Sequence, residues 1–125
     1  MTLTVVLDMP PSTNSVYKRS RNGRMYMTDA GTSFKAITTA RVKNTAQLLG
    51  YRFTKKDRIE FTLRLWFANR NRCDIDNRVK LVEDATAAAL GFDDTQIDRL
   101  TVERRSTETD PPYCMVIVRK LEVTK

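Results

Sequence analysis

The chain has 125 residues, 22 Lys+Arg against 15 Asp+Glu, a formal net charge of +7 and 41% hydrophobic residues. That length suits one domain over 1–125 with a single core, and the apolar content argues against wholesale disorder. No apolar run approaches bilayer length, and the complete lack of histidine excludes Ser-His-Asp, Cys-His and every His-containing metal site.

In chain order, Leu3 to Leu7 reads as a short β-branched strand, stopped at Met9-Pro10-Pro11 because proline cannot continue a ladder. The start of the chain has no basic region ahead of an apolar stretch, so no secretory signal is expected and cytoplasmic residence is the default. Lys18-Arg19-Ser20-Arg21-Asn22-Gly23-Arg24 reads as a basic loop with an Asn-Gly turn, and Met25 to Met27 as a return strand. Thr28 or Asp29 caps a helix running to about Leu49, with Gly50 as its stop. Phe34, Ile37, Ala40 and Leu48 are its expected apolar stripe, while Lys35, Arg41 and Lys43 are expected to be solvated.

Ile59 to Phe67 carries the clearest strand signal: Ile59, Phe61, Leu63, Leu65 and Phe67 alternate with Glu60, Thr62 and Arg64. A basic turn, Ala68 to Arg72, leads to an acidic segment. Asp76 to Leu90 has helical periodicity through Val79, Val82, Ala85 or Thr86 and Ala89, and Gly91 ends it. Gln96 to Arg105 alternates weakly and reads as a strand. Asp110-Pro111-Pro112 is a turn, and Tyr113 to Val123 is a strand apolar on both faces around Met115 to Val118, hence interior to a sheet. The expected fold is α+β, a two-layer sandwich with a mixed sheet and two main helices on one face.

Cys73 and Cys114 are too few for a disulfide framework or a four-thiolate zinc site, and both are expected to be reduced. The chemistry is expected in the acids. Asp74 and Asp76 are two apart, so an extended lead-in to the helix would point them the same way. Asp76, Lys80 and Asp84 follow at intervals of four on one helical face, and Asp93-Asp94 lie just past the helix end. Converging carboxylates repel, and a divalent cation relieves the repulsion. With oxygen donors alone, magnesium, manganese or calcium is favoured over zinc or copper, and bound magnesium can activate water against a phosphodiester. Each feature has a plainer reading: Asp74 or Asp76 as a helix N-cap, Asp76-Lys80-Asp84 as a surface pair series, Asp93-Asp94 as a turn. The charge of +7 suits a polyphosphate partner, or simply solubility.

Three blocks in order resemble the RusA family of Holliday junction resolvases, small magnesium-dependent endonucleases of phages and prophages. They are Pro10-Pro11-Ser12-Thr13-Asn14-Ser15-Val16-Tyr17, then Asp74-Ile75-Asp76-Asn77-Arg78-Val79-Lys80 with Asp84 a turn further on, then Asp93-Asp94-Thr95-Gln96-Ile97. The resemblance implies that Asp74, Asp76 and Asp94 are metal-binding catalytic acids, that Lys80 is the basic residue at the scissile phosphate, and that Asn77 supports the site. It also implies a homodimer, which suits the near two-fold symmetry of a four-way junction. The stretch between Asp84 and the acid pair is about one residue shorter than the family pattern, so Asp93 is kept beside Asp94 as a candidate ligand. DNA contacts are expected from Asn14, Tyr17, Lys18, Arg19, Arg21, Arg24, Arg70, Arg72 and Arg78, with Lys55 and Lys56 adding charge. Trp66 is expected either to stack on a base or to pack under the second helix. No membrane and no small-molecule cofactor is expected. The alternatives are a non-catalytic binder of branched DNA or RNA on the same scaffold, and a related nuclease retuned to other branches.

Overall fold

A computed structural model of the chain describes residues 2–71 and 74–122, the side chain of Asn14 excepted. Strand β1 (Thr2–Asp8) is followed by a one-turn helix α1 (Thr13–Val16), then by β2 (Tyr17–Arg19) and β3 (Met25–Met27). Helix α2 (Asp29–Leu49), β4 (Arg58–Trp66), α3 (Val79–Leu90), β5 (Ile97–Ser106) and β6 (Tyr113–Leu121) complete the order. The fold is α+β, with a mixed sheet and two principal helices. The main sheet runs β1-β6-β4-β5, with β4 parallel to β5 and antiparallel to β6. Strand β6 is interior, as its apolar run predicts; Val123 lies outside the described residues.

Alternation builds the core. Leu3, Val5 and Leu7 of β1, Ile59, Phe61, Leu63 and Leu65 of β4, and Cys114, Val116 and Val118 of β6 are buried. They share one cluster with Val42 and Ala46 of α2, Val82, Ala87 and Leu90 of α3, and Phe67. Burying Phe61 completely is worth about 2–3 kcal/mol by itself.

Both principal helices end as their sequences predict. Gly50 (φ 70°) and Gly91 (φ 76°) occupy the left-handed region that a side chain would strain. Thr28 caps α2, accepting from the Gly31 N–H.

Four sequence expectations are corrected. The apolar stripe of α2 faces the core only in part: Phe34 packs against it, but Ala40 is exposed, Ile37 is 53% exposed and Leu48 87%. The buried positions are Gly31, Thr38, Val42 and Ala46, because neighbouring elements approach this helix closely and only small or slim side chains fit. Residues 18–24 are not all loop, since Lys18 and Arg19 belong to β2, which pairs with β3 in a separate two-stranded sheet. The lead-in to α3 is not extended: Ile75 is αR and Asp76–Arg78 form a 3-10 turn, so the two-residue spacing of Asp74 and Asp76 does not place them on one strand face. Trp66 falls out of phase with the buried set of β4 and does not pack under α3. It stacks on Tyr113, with centroids 4.6 Å apart and planes 10° from parallel.

Candidate active site

All the candidate acids lie on the single connection from β4 to β5. After β4 the chain makes a turn in which Asn71 N–H donates to Asn69 Oδ1 at 2.9 Å. Arg72 and Cys73 lie outside the described residues. Asp74 and Asp76 are exposed, and neither caps α3, whose N-cap position is Arg78 and has no side-chain capping bond. The 3-10 turn likewise has no side-chain cap. The plain N-cap reading of these acids therefore fails.

The first and second sequence blocks meet here. Thr13 Oγ1 donates to the Asn77 carbonyl at 2.9 Å, and Arg78 Nη1 donates to the Pro10 carbonyl at 2.7 Å. The Arg78 guanidinium also sits 5.6 Å over the Phe67 ring, a cation–π contact. Proline supplies a carbonyl and no N–H, which suits Pro10, whose part in this contact is to accept. Arg78, expected on DNA, is thus engaged in holding this turn.

Lys80 Nζ stands 3.2 Å from Asp84 Oδ1, one turn along α3. Its pKa is raised, first by that hydrogen bond and then by the charges of Asp84, Asp94 and Glu83. Asp94 therefore folds back within the field of Lys80 although it lies beyond the end of α3. Glu83, which the sequence patterns do not single out, belongs to the same neighbourhood. Its pKa is raised, mainly by desolvation and further by Asp84 and Asp94.

The third block divides its labour. Asp93 caps a 3-10 turn over Asp94–Gln96: its Oδ1 accepts from Thr95 N–H at 3.1 Å, while Gln96 Oε1 accepts from Asp93 N–H at 2.9 Å. This capping box lowers the Asp93 pKa, chiefly through the Thr95 amide. Gln96 is buried, and its Nε2 donates to the carbonyls of Thr54 and Asp57, each at 2.8 Å. Asp94 is left outward. Its pKa is raised, first by sharing a hydrogen bond with Asp93, then by desolvation and the charge of Asp93, with Lys80 opposing and Asp84 adding.

Among the described residues, no three His, Cys, Asp or Glu side chains stand together as a metal-holding group. The chemistry of the donors nevertheless suits a hard cation. They are all carboxylate oxygens, and the hydrogen bond that Asp94 shares with Asp93, which raises its pKa first of all, shows two acids close enough for a divalent ion to bring them relief.

The expected DNA contacts are placed as follows. Lys18 and Arg19 are exposed on β2, Arg21 and Arg24 on the adjoining turn, and Tyr17 is half-buried. Ser20 and Arg24 close that turn, with Ser20 N–H donating to the Arg24 carbonyl at 2.8 Å. Arg70 is exposed beyond β4.

A family model described as Endodeoxyribonuclease RusA matches residues 8–119. The chain belongs to the RusA endodeoxyribonuclease family. The crossover junction endodeoxyribonuclease RusA of Shigella sonnei (strain Ss046) is 33% identical over 97 residues, which is 77% of each chain. Among solved structures, the 2C-methyl-D-erythritol 2,4-cyclodiphosphate synthase of Plasmodium vivax aligns over 97% of each chain at 12% identity, with a TM-score of 0.33. A likeness at that level carries no argument about this RusA-family chain. Among the described residues, no helix is long and apolar enough to cross a membrane.

Proposed function

We propose that this RusA-family endodeoxyribonuclease resolves four-way DNA junctions by paired symmetric nicks, working in the cytoplasm of a bacterial or phage-infected cell. Asp74, Asp76 and Asp94 would hold magnesium, or manganese in its place. The bound ion supplies a Lewis acid and a water of lowered pKa. The observation that carries the reading is the family match over residues 8–119, and the Lys80–Asp84 pair at 3.2 Å on α3, in whose field Asp94 lies, supports it.

The chain's own residues divide the remaining work. Lys80, held toward Asp84, offers a positive charge at the acids to steady the phosphate as charge develops. Asp93 and Gln96 fix the turn that presents Asp94, and Asn77 is anchored by Thr13. Lys18, Arg19, Arg21, Arg24 and Arg70, with Asn14, Tyr17 and Arg72, attract and position the DNA backbone. The sheet forms one layer and α2 and α3 the other. Two protomers in a C2 dimer would present one site to each of two opposed strands.

The test is a labelled synthetic junction and a matched linear duplex, incubated with and without magnesium, alongside Asp74→Asn. Paired nicks confined to the junction, lost with the variant or with chelator, are expected. Tight junction binding without cleavage under either metal would instead establish a non-catalytic binder.

A further inference from the structure

Strand β5 departs from its ladder with β4 at a revealing place. Leu65 lies opposite Arg104, but Trp66 lies opposite Ser106, so Arg105 is an extra residue in a β-bulge. In a regular strand Arg104 and Arg105 would point to opposite faces. A bulge re-aims side chains, and here both arginines line one cleft of about 540 Å³ together with Arg70, Ser106 and Thr107. Ser106 Oγ accepts from the Glu108 N–H at 3.1 Å, which leaves its hydroxyl able to donate. The nearby Glu103 carboxylate is divided between Arg64 at 3.0 Å and Arg105 at 3.6 Å, and so offsets only part of the positive charge.

The cleft sits at the carboxyl ends of two parallel strands, and Arg70 is four residues before Asp74. That span cannot exceed about 14 Å. DNA advances about 3.4 Å along its axis per nucleotide of a strand. A phosphate in the cleft would therefore lie within a few nucleotides of one at the acids.

We infer that the cleft of Arg70, Arg104, Arg105, Ser106 and Thr107 is a phosphate-binding subsite, separate from the acids, that grips the DNA backbone beside the cut. The inference rests on the nuclease reading only for the identity of the polyphosphate. Guanidinium forks and hydroxyl donors are the groups that recognise phosphate oxygens. The competing role is protection: β5 is an edge strand, and bulges and charges also keep such edges from pairing with other chains.

Binding to a junction and to a linear duplex is measured by fluorescence anisotropy in chelator, from 50 to 200 mM salt. The proteins are wild type, the Arg104→Ala/Arg105→Ala double variant and the Arg104→Lys/Arg105→Lys double variant, each confirmed folded by its melting curve. The alanine pair is expected to bind more weakly, with the log–log salt slope reduced by ~0.9 for each phosphate no longer neutralised. Its disadvantage then shrinks about 3-fold per such phosphate across that salt range. The lysine pair is expected to recover the slope. An unchanged slope and affinity in the alanine pair, or an equal loss in both variants, would overturn the subsite and leave edge protection as the role of the bulge. Because cleavage is not read, wild-type protein that binds but never cuts refutes the nuclease reading alone.

Discussion

Gln96→Ala tests whether the third block is a built support for Asp94. The amide makes three bonds, donating to Thr54 and Asp57 carbonyls at 2.8 Å each and accepting from Asp93 N–H at 2.9 Å. At about 1 kcal/mol per bond, their loss comes to ~3 kcal/mol, reduced toward ~2 where water can reach the freed groups. For a domain of this length, that lowers the melting temperature by about 10 °C. Because the same side chain closes the capping box over Asp94, cleavage by the folded variant is expected to fall as well. Urea unfolding gives the first quantity, and single-turnover cleavage well below the melting temperature gives the second. Stability within about 0.5 kcal/mol of wild type, the ordinary scatter of surface substitutions, would refute the reasoning.

Other substitutions probe separate features. Lys80→Ala is expected to slow single-turnover cleavage at saturating junction by about a hundredfold or more, and a defect confined to binding would contradict its place at the phosphate. Gly31→Ala would set a methyl 2.6 Å from Val16 Cγ1 and 2.8 Å from Met27 Cγ. Overpacking of about 1–3 kcal/mol should outweigh the ~1 kcal/mol gained in helix propensity, giving net destabilisation in urea. The Glu60 carboxylate is held below its ordinary range, first by Arg99 at 2.8 Å and then by Arg119 at 3.0 Å. Its stabilisation is present above the unfolded glutamate value of about 4.3 and is lost as pH falls through the lower folded value. Glu60→Gln should therefore cost up to about 1 kcal/mol at neutral pH and nothing in strong acid, as read from melting curves against pH. The buried Cys114 thiol, pushed up to about 12 by desolvation, should resist alkylating reagents until the protein unfolds.

Legibility in the sequence followed the regularity of each element. Strand β4 could be read because its period of two is unbroken from Ile59 to Leu65, and the helix ends because Gly50 and Gly91 must adopt positive φ. Strand β5 read poorly because it carries two register shifts, at Asp98 and at Arg105, each of which inverts the alternation. Asp98 is the extra residue of the first and pairs with Arg58. The buried face of α2 was hidden because hydropathy marks large side chains, whereas close packing selected Gly31 and Thr38. The capping role of Asp93 was available from Asp93-x-x-Gln96, a pattern with its own local logic. Glu83 offered no such signal, since only tertiary folding brings it into the field of Asp94.

The clasp of Thr13 on Asn77 and of Arg78 on Pro10 has a consequence for how such a protein can diversify. The turn bearing Asp76 is tied to the N-terminal segment, while β4 is fixed by its own ladders on both sides. The stretch between them, residues 67–75, therefore joins two points that are already anchored independently. Lengthening such a connection is cheap, about 0.6 kcal/mol for each doubling. Insertions there, ahead of Asp74, can extend or redirect the reach toward nucleic acid without shifting the tied turn that bears Asp76, so substrate range can drift while that turn stays in place.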